Sequence, residues 1–149
     1  MFENFFVFLK TVQHLEEEFS ICVDLVVSKE LNNEYLKRQD LRSKNGLTKG
    51  LHTVENWTEE CRRKINFIVT LGGDGTILWA SKQFSGQYVP PMITFDQGSL
   101  GFLCNFVFED HEEVMKHVFE SIFSKKESEF LGLDSRMRLR VNMGVGNET

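Results

Sequence analysis

Residues 70–76 read TLGGDGT and follow directly on the apolar run NFIV. Gly72 and Gly73 let the backbone take positive φ and approach a bound molecule closely. The amides of such a turn, together with those of the first turn of a following helix, favour phosphate or another anion. Thr76 carries the hydroxyl of a helix N-cap. Asp74 is the odd member, because a carboxylate in a loop that only cradles phosphate repels its ligand. Its chemistry is therefore different. It accepts a proton from a sugar hydroxyl, or it holds a magnesium ion that bridges phosphates. The plainer alternative is an aspartate that bonds amides of its own turn. The spacing is not the GxGxxG dinucleotide fingerprint, and no GK[ST] follows to make a Walker loop. A second glycine-punctuated stretch, DQGSLGFL at 96–103, comes after the apolar PPMITF, and Gln97 stands in front of it within reach of a ligand.

These residues need elements to hold them. NFIVTL is a continuous apolar run, as in a parallel strand covered on both faces, and PPMITF is a second one. Between them, ILWASKQF has helical spacing through Ile77, Leu78 and Phe84. Upstream, Phe5, Phe8, Leu9, Val12, Leu15 and Phe19 predict a helix over about 3–19, and ICVDLVV a strand over 21–27. Residues 28–52 are polar and read as a long loop with one helical turn around Glu30 to Arg38. A short helix follows over 53–63, capped at Thr53 or Asn56. Downstream, Glu109 or Asp110 opens a helix with Val114, Val118, Phe119 and Ile122 inward, and RMRLRVNM at 136–143 alternates like a half-buried strand. The alternation of helix and strand predicts an α/β fold of doubly wound, Rossmann-like type.

Composition narrows the function classes. The net charge is −5, with basic residues spread out, so the concentrated basic footprint of a nucleic-acid binder is missing. Cys22, Cys61 and Cys104 have no metal-ligand spacing, and an odd number makes a poor disulfide framework. Reduced thiols and a cytoplasmic location are expected. The apolar start is too short to cross a membrane and lacks a basic leader region. HEEVM at 111–115 begins like HExxH, but Met115 occupies the second ligand position, so no metal site is assigned. Cys104 reads as a buried thiol, and Trp57 and Trp79 read as packing residues.

TLGGDGTILWAS followed by VPPMITFDQGSLGFL resembles the NAD kinase family, in its eukaryotic branch. GGDGT alone is shared with lipid kinases of the diacylglycerol and sphingosine type, and in variant form with phosphofructokinase. Lipid kinases tend to continue with Asn-Glu, however, whereas ILWAS and Gly98-Ser99-Leu100-Gly101-Phe102-Leu103 resemble the NAD kinase pattern. The resemblance implies a three-layer phosphofructokinase/NAD kinase-like domain and ATP-dependent phosphorylation of the adenosine ribose 2′-hydroxyl of NAD, giving NADP. It makes Asp74 the general base. Gly72, Gly73, Gly75 and Thr76 would line the dinucleotide site, as would Gly98 and Gly101. Phe102 would pack on the dinucleotide, at its adenine, unless it is core filling. ATP with Mg²⁺ is the implied donor pair.

Family members place a strand before the first helix and continue into a β-rich domain that supplies an Asn-Glu motif. Here the α/β unit is expected over 1–133 and the start of a β-rich part over 134–149, with Asn147-Glu148 read as loop. Both features make a catalytically incomplete fragment the competing reading, one that binds dinucleotide or full-length subunits. A lipid-kinase fragment is the third. An unpaired sheet position predicts association into a homo-oligomer. Small-molecule nucleotides are the expected partners, with neither nucleic acid nor membrane.

Overall fold

The computed structural model describes residues 2–21, 23–37, 51–53, 59–84, 89–98, 101–123 and 131–137. Helix α1, Phe2–Phe19, fits the apolar spacing, and Phe5, Phe6, Phe8, Leu9, Val12 and Leu15 are buried along it. It ends where Ser20 takes the left-handed conformation and Ile21 donates its N–H to the Glu16 carbonyl at 3.1 Å. The strand expected over 21–27 is shorter: β1 covers Leu25–Val27 alone. The reason is local. The Ile21 amide is spent on the helix end, and Val23 donates to the Glu16 carboxylate at 2.7 Å, so neither can join a ladder.

The polar stretch expected as a loop is helical in its first part, and its residues 38–50 lie outside the described residues. Helix α2 spans Lys29–Lys37 rather than a single turn. Ser28 caps it by accepting the Leu31 N–H at 3.3 Å. Leu31 and Tyr35, four residues apart, pack on the Phe5, Phe6 and Leu9 cluster of α1. Strand β2, Leu51–Thr53, has no sequence signal beyond three residues and pairs in parallel with β1, Leu25 opposite Leu51. Thr53 therefore ends a strand instead of capping a helix. The helix expected over 53–63 is the short α3, Glu59–Arg63. Asn56 and Trp57 lie outside the described residues.

The next unit positions the glycine loops. Strand β3, Ile68–Leu71, leads into helix α4, Asp74–Lys82, and the chain returns as β4, Met92–Asp96, parallel to β3. The two-residue β5, Phe106–Val107, adds to β4. A 3₁₀ turn, Phe108–Asp110, then opens helix α5, His111–Phe123. Among the described residues all pairings are parallel, in one sheet of β1 and β2 and a second of β3, β4 and β5. This is the expected alternating α/β architecture of Rossmann-like type.

One face of the second sheet carries the main core. Phe95 is fully buried among Phe8, Val12 and Leu15 of α1 and Met115, Val118 and Phe119 of α5, with Val69, Leu71 and Ile93 at the margin. Helix α1 also joins the two sheets, because its Phe5, Phe6 and Leu9 cluster touches Leu25 and Val27 of β1 and Leu71 of β3. Lys116 of α5 pairs with Glu18 of α1 at 2.8 Å, and that partner pushes the ammonium pKa up.

Four expectations need correction here. Thr76 does not cap α4: Gly73 is the N-cap residue, and Thr76 sits inside the first turn. Trp79 is 52% exposed rather than packed, and Leu78 beside it is exposed too. Ile122 is 50% exposed, because Met115 and the ring of His111 fill the inward stripe of α5 instead. His111 stacks flat on Phe108, which the 3₁₀ turn brings beneath it. Of the strand expected at 136–143, Arg136 and Met137 are not in a strand and the remainder lies outside the described residues, as does Asn147-Glu148.

Candidate functional site

Both glycine loops leave the carboxyl ends of adjacent parallel strands, where open α/β sheets bind their ligands. The first begins at Gly72, whose N–H donates to the Phe95 carbonyl at 2.9 Å and extends the ladder by one step. Its φ of +149° is one that glycine adopts without strain, and a Cβ there would run into the Thr76 hydroxyl. The chain then enters α4 at Asp74, the first helical residue, where a negative charge complements the helix dipole.

The Asp74 carboxylate crosses to the second loop, where Oδ2 accepts the Phe102 N–H at 3.1 Å and Oδ1 accepts the Leu103 N–H at 2.8 Å. The alternative of a local amide-bonding aspartate is thereby replaced by a longer-range one: the side chain ties together loops 28 and 29 residues apart. Gly101 makes room for it. A Cβ at position 101 would come within 2.8 Å of the Asp74 Cγ and closer still to Oδ1.

Asp96, which the glycine motif marks only as a loop residue, organises the second loop from beneath. It ends β4, is 4% exposed, and accepts the Gly98 N–H at 2.7 Å and the Gly101 N–H at 2.9 Å. The Gly101 and then the Gly98 amide hold its carboxyl below the usual carboxylate range, against the opposing effect of burial. An acid at the last residue of a buried strand, two positions before a glycine, is the signal that could have found it. Thr94 adds a further tie, accepting the Asn105 N–H at 3.0 Å. Cys104 donates its thiol to the Gly72 carbonyl at 3.3 Å. It is buried as expected, and burial, followed by the negative charge of Asp96, pushes its pKa up, so the thiol stays protonated at neutral pH.

The structure thus brings Gly72, Gly73, Asp74, Gly75, Thr76, Gly98, Gly101 and Phe102 to one end of the β3–β4 pair. Phe102 is 86% exposed, so it does not fill the core. Gln97 is half-buried, and its amide nitrogen finds no partner among the described residues. Ser99 and Leu100 lie outside those residues. Gly75 sits within α4, and a Cβ placed on it would meet nothing within 4 Å among the described residues beyond its own helix backbone. Among the described residues, no cluster of three His, Cys, Asp or Glu groups is arranged to hold a metal ion, and no helix is long and apolar enough to cross a membrane. A groove of about 2160 Å³ past Val23, Phe67, Phe106 and Phe119 includes neither Asp74 nor any glycine of the two loops.

The profile of the family described as "ATP-NAD kinase N-terminal domain" matches residues 3–123. The protein named "Putative NAD kinase 3" from Oryza sativa subsp. japonica is 37% identical over 132 residues, covering 83% of this chain and 25% of that protein. "NADH kinase POS5, mitochondrial" from Saccharomyces cerevisiae is 32% identical over 113 residues, 74% of this chain and 26% of the relative. "NAD kinase 2, chloroplastic" from Arabidopsis thaliana is 41% identical over 83 residues, 56% of this chain and 8% of the relative. Among solved structures, the yeast NADH kinase complexed with NADH superposes with a TM-score of 0.59 at 31% identity, covering 80% of this chain and 34% of that one. The chain therefore spans about a quarter or less of the curated relatives cited.

The geometry separates the glycines. Gly101→Ala forces Asp74 off its amides and is expected to cost about 1–3 kcal/mol in urea unfolding. Gly75→Ala, in an open helical position, is expected to be neutral or to stabilise by up to about 1 kcal/mol; equal losses in both variants would contradict the contacts described. Asp96 supplies a pH test. Its pKa is lowered in the folded state, so its contribution is fully present above the unfolded-state value near 4 and is lost as pH falls through the folded value. Asp96→Asn is expected to lower stability at pH 7 and to flatten the melting-temperature profile below about pH 4; a profile parallel to that of the unaltered chain would contradict it.

Proposed function

The chain belongs to the ATP-NAD kinase family, and on that premise we propose that its two glycine loops bind NAD and that Asp74 accepts the proton of the adenosine ribose 2′-hydroxyl during phosphorylation by ATP. The observation that carries this reading is the place of the Asp74 carboxylate, at the junction of both loops beyond the strand ends. Each carboxylate oxygen accepts one backbone N–H and keeps a lone pair for a substrate hydroxyl. A side chain held at both oxygens has little freedom to turn away, which suits a base that must meet one hydroxyl among several. Gly75 supports the same reading: a helical glycine costs about 1 kcal/mol against alanine, no contact among the described residues calls for it, and a ligand lying against that backbone would.

In the proposed reaction the 2′-oxygen attacks the γ-phosphorus of ATP and its proton passes to Asp74. The bond from the γ-phosphorus to the β–γ bridging oxygen breaks, and ADP leaves. Asp74 orients the hydroxyl, the glycine turns admit the phosphates, and the exposed Phe102 ring offers a face to the adenine. Magnesium bound with ATP supplies charge neutralisation at the phosphates; such ions take about one or two carboxylates from the protein, so no built cage is required. Turnover by these residues alone is the stronger form of the proposal. Dinucleotide binding with no turnover is the second reading, which the same loop geometry would support.

NADP formation from NAD, ATP and Mg²⁺ tests both forms when read beside NAD affinity. Asp74→Asn keeps one acceptor for the loop amides but cannot take a proton. It is expected to lower turnover by about 100-fold or more while weakening NAD binding by no more than about tenfold. Turnover undiminished in the variant would remove Asp74 as the base. NAD binding without turnover by the unaltered chain would leave the second reading.

A further inference from the structure

Phe102 raises a mechanical question. Its ring is exposed, so packing does not fix it, yet a platform for a flat ligand has to stay in one place. Its backbone is held instead, from both sides. On one side its N–H donates to Asp74 at 3.1 Å. On the other, its carbonyl oxygen accepts from Arg136 Nη1 at 3.2 Å, and the guanidinium carbon of the same arginine stands 5.5 Å from the ring centroid. Arg136 is oriented in turn by Asp134, whose Oδ2 accepts from Nε at 3.3 Å and lies 3.2 Å from Nη2.

The geometry points to Arg136 as a positioning residue for the dinucleotide pocket: it fixes Phe102 at the carbonyl and the ring while Asp74 fixes it at the amide. This rests on the reading of the loops as an NAD site. The guanidinium suits this role because it is planar and has donors in several directions. One edge binds Asp134, another N–H reaches the carbonyl, and the cation lies over the aromatic face. Lysine offers a single ammonium and cannot do all three. Asp134 already holds one edge of the guanidinium, and in this proposal the arginine acts through Phe102. The segment at 134–136, expected from the sequence to open the next domain, is thus coupled to the pocket through one peptide unit.

Amide hydrogen exchange read by NMR on the whole chain tests the positioning directly, with no ligand present. In Arg136→Ala, exchange at the Phe102 amide is expected to rise about tenfold, the equilibrium worth of one charge-assisted contact. The Met115 amide within α5 should be unchanged. The NAD dissociation constant should rise in step, and Arg136→Lys should recover part of both effects. Unchanged Phe102 exchange in Arg136→Ala would overturn the proposal. So would a loss of NAD affinity with exchange unaltered, because Arg136 would then be touching the ligand itself. A chain that binds no NAD at all would defeat the functional reading, while the exchange result would still decide what Arg136 does to Phe102.

Discussion

Carboxylate-to-amide bonds between the two glycine loops are the constraint on which this site depends. A glycine-rich loop has few side chains to pack, and ordering its backbone costs about 1–2 kcal/mol per residue. Its conformation must therefore be held through its own N–H groups. Asp74 and Asp96 do this from either side of Gly101, each accepting two amides of the second loop. Hydrogen bonds to an ionised acceptor are stronger than those between neutral groups, which is why carboxylates rather than amides or hydroxyls suit this role. The arrangement also explains why position 101 must be bare, since the Asp74 carboxylate occupies the space a side chain would take.

The rest of the fold keeps those two carboxylates in register. Asp96 is the last residue of β4, and Asp74 follows β3 after Gly72 and Gly73, so the pairing of Leu71 with Phe95 sets the offset between them. Phe95 is buried against α1 and α5 and anchors that end of the sheet. The Gly72 amide and the Cys104 thiol add a bond across each boundary, from the first loop to β4 and from the second loop to the first. A cavity at Phe95 would therefore be felt at the site, through the strand ends that carry both loops.

The legible parts of the sequence were those with strong periodicity or rigid chemistry. The apolar positions of α1, the continuous run of β3 and the glycines of both loops all carry signals that tertiary context does not reverse. The elements that were misread are short or set by partners distant in sequence. Strand β2 exists because β1 offers an edge, and no property of Leu-His-Thr announces it. Strand β1 is shortened because Glu16, on the preceding helix, takes the Val23 amide. Asp74 could be singled out as chemically odd, but its bonds to Phe102 and Leu103 could not be read from spacing. Arg136 and Asp96 were missed for the same reason: each matters through a backbone group that only the fold brings near.

In the proposed function Asp74 first assembles the pocket and then serves the chemistry inside it. The measurement that tests this most directly is a crystal structure of the chain with NAD bound. The account predicts the ribose 2′-oxygen within about 3 Å of an Asp74 carboxylate oxygen, with the Phe102 and Leu103 amide bonds intact. A dinucleotide whose ribose lies away from Asp74, or an Asp74 that must leave those amides before the ribose can reach it, would contradict it.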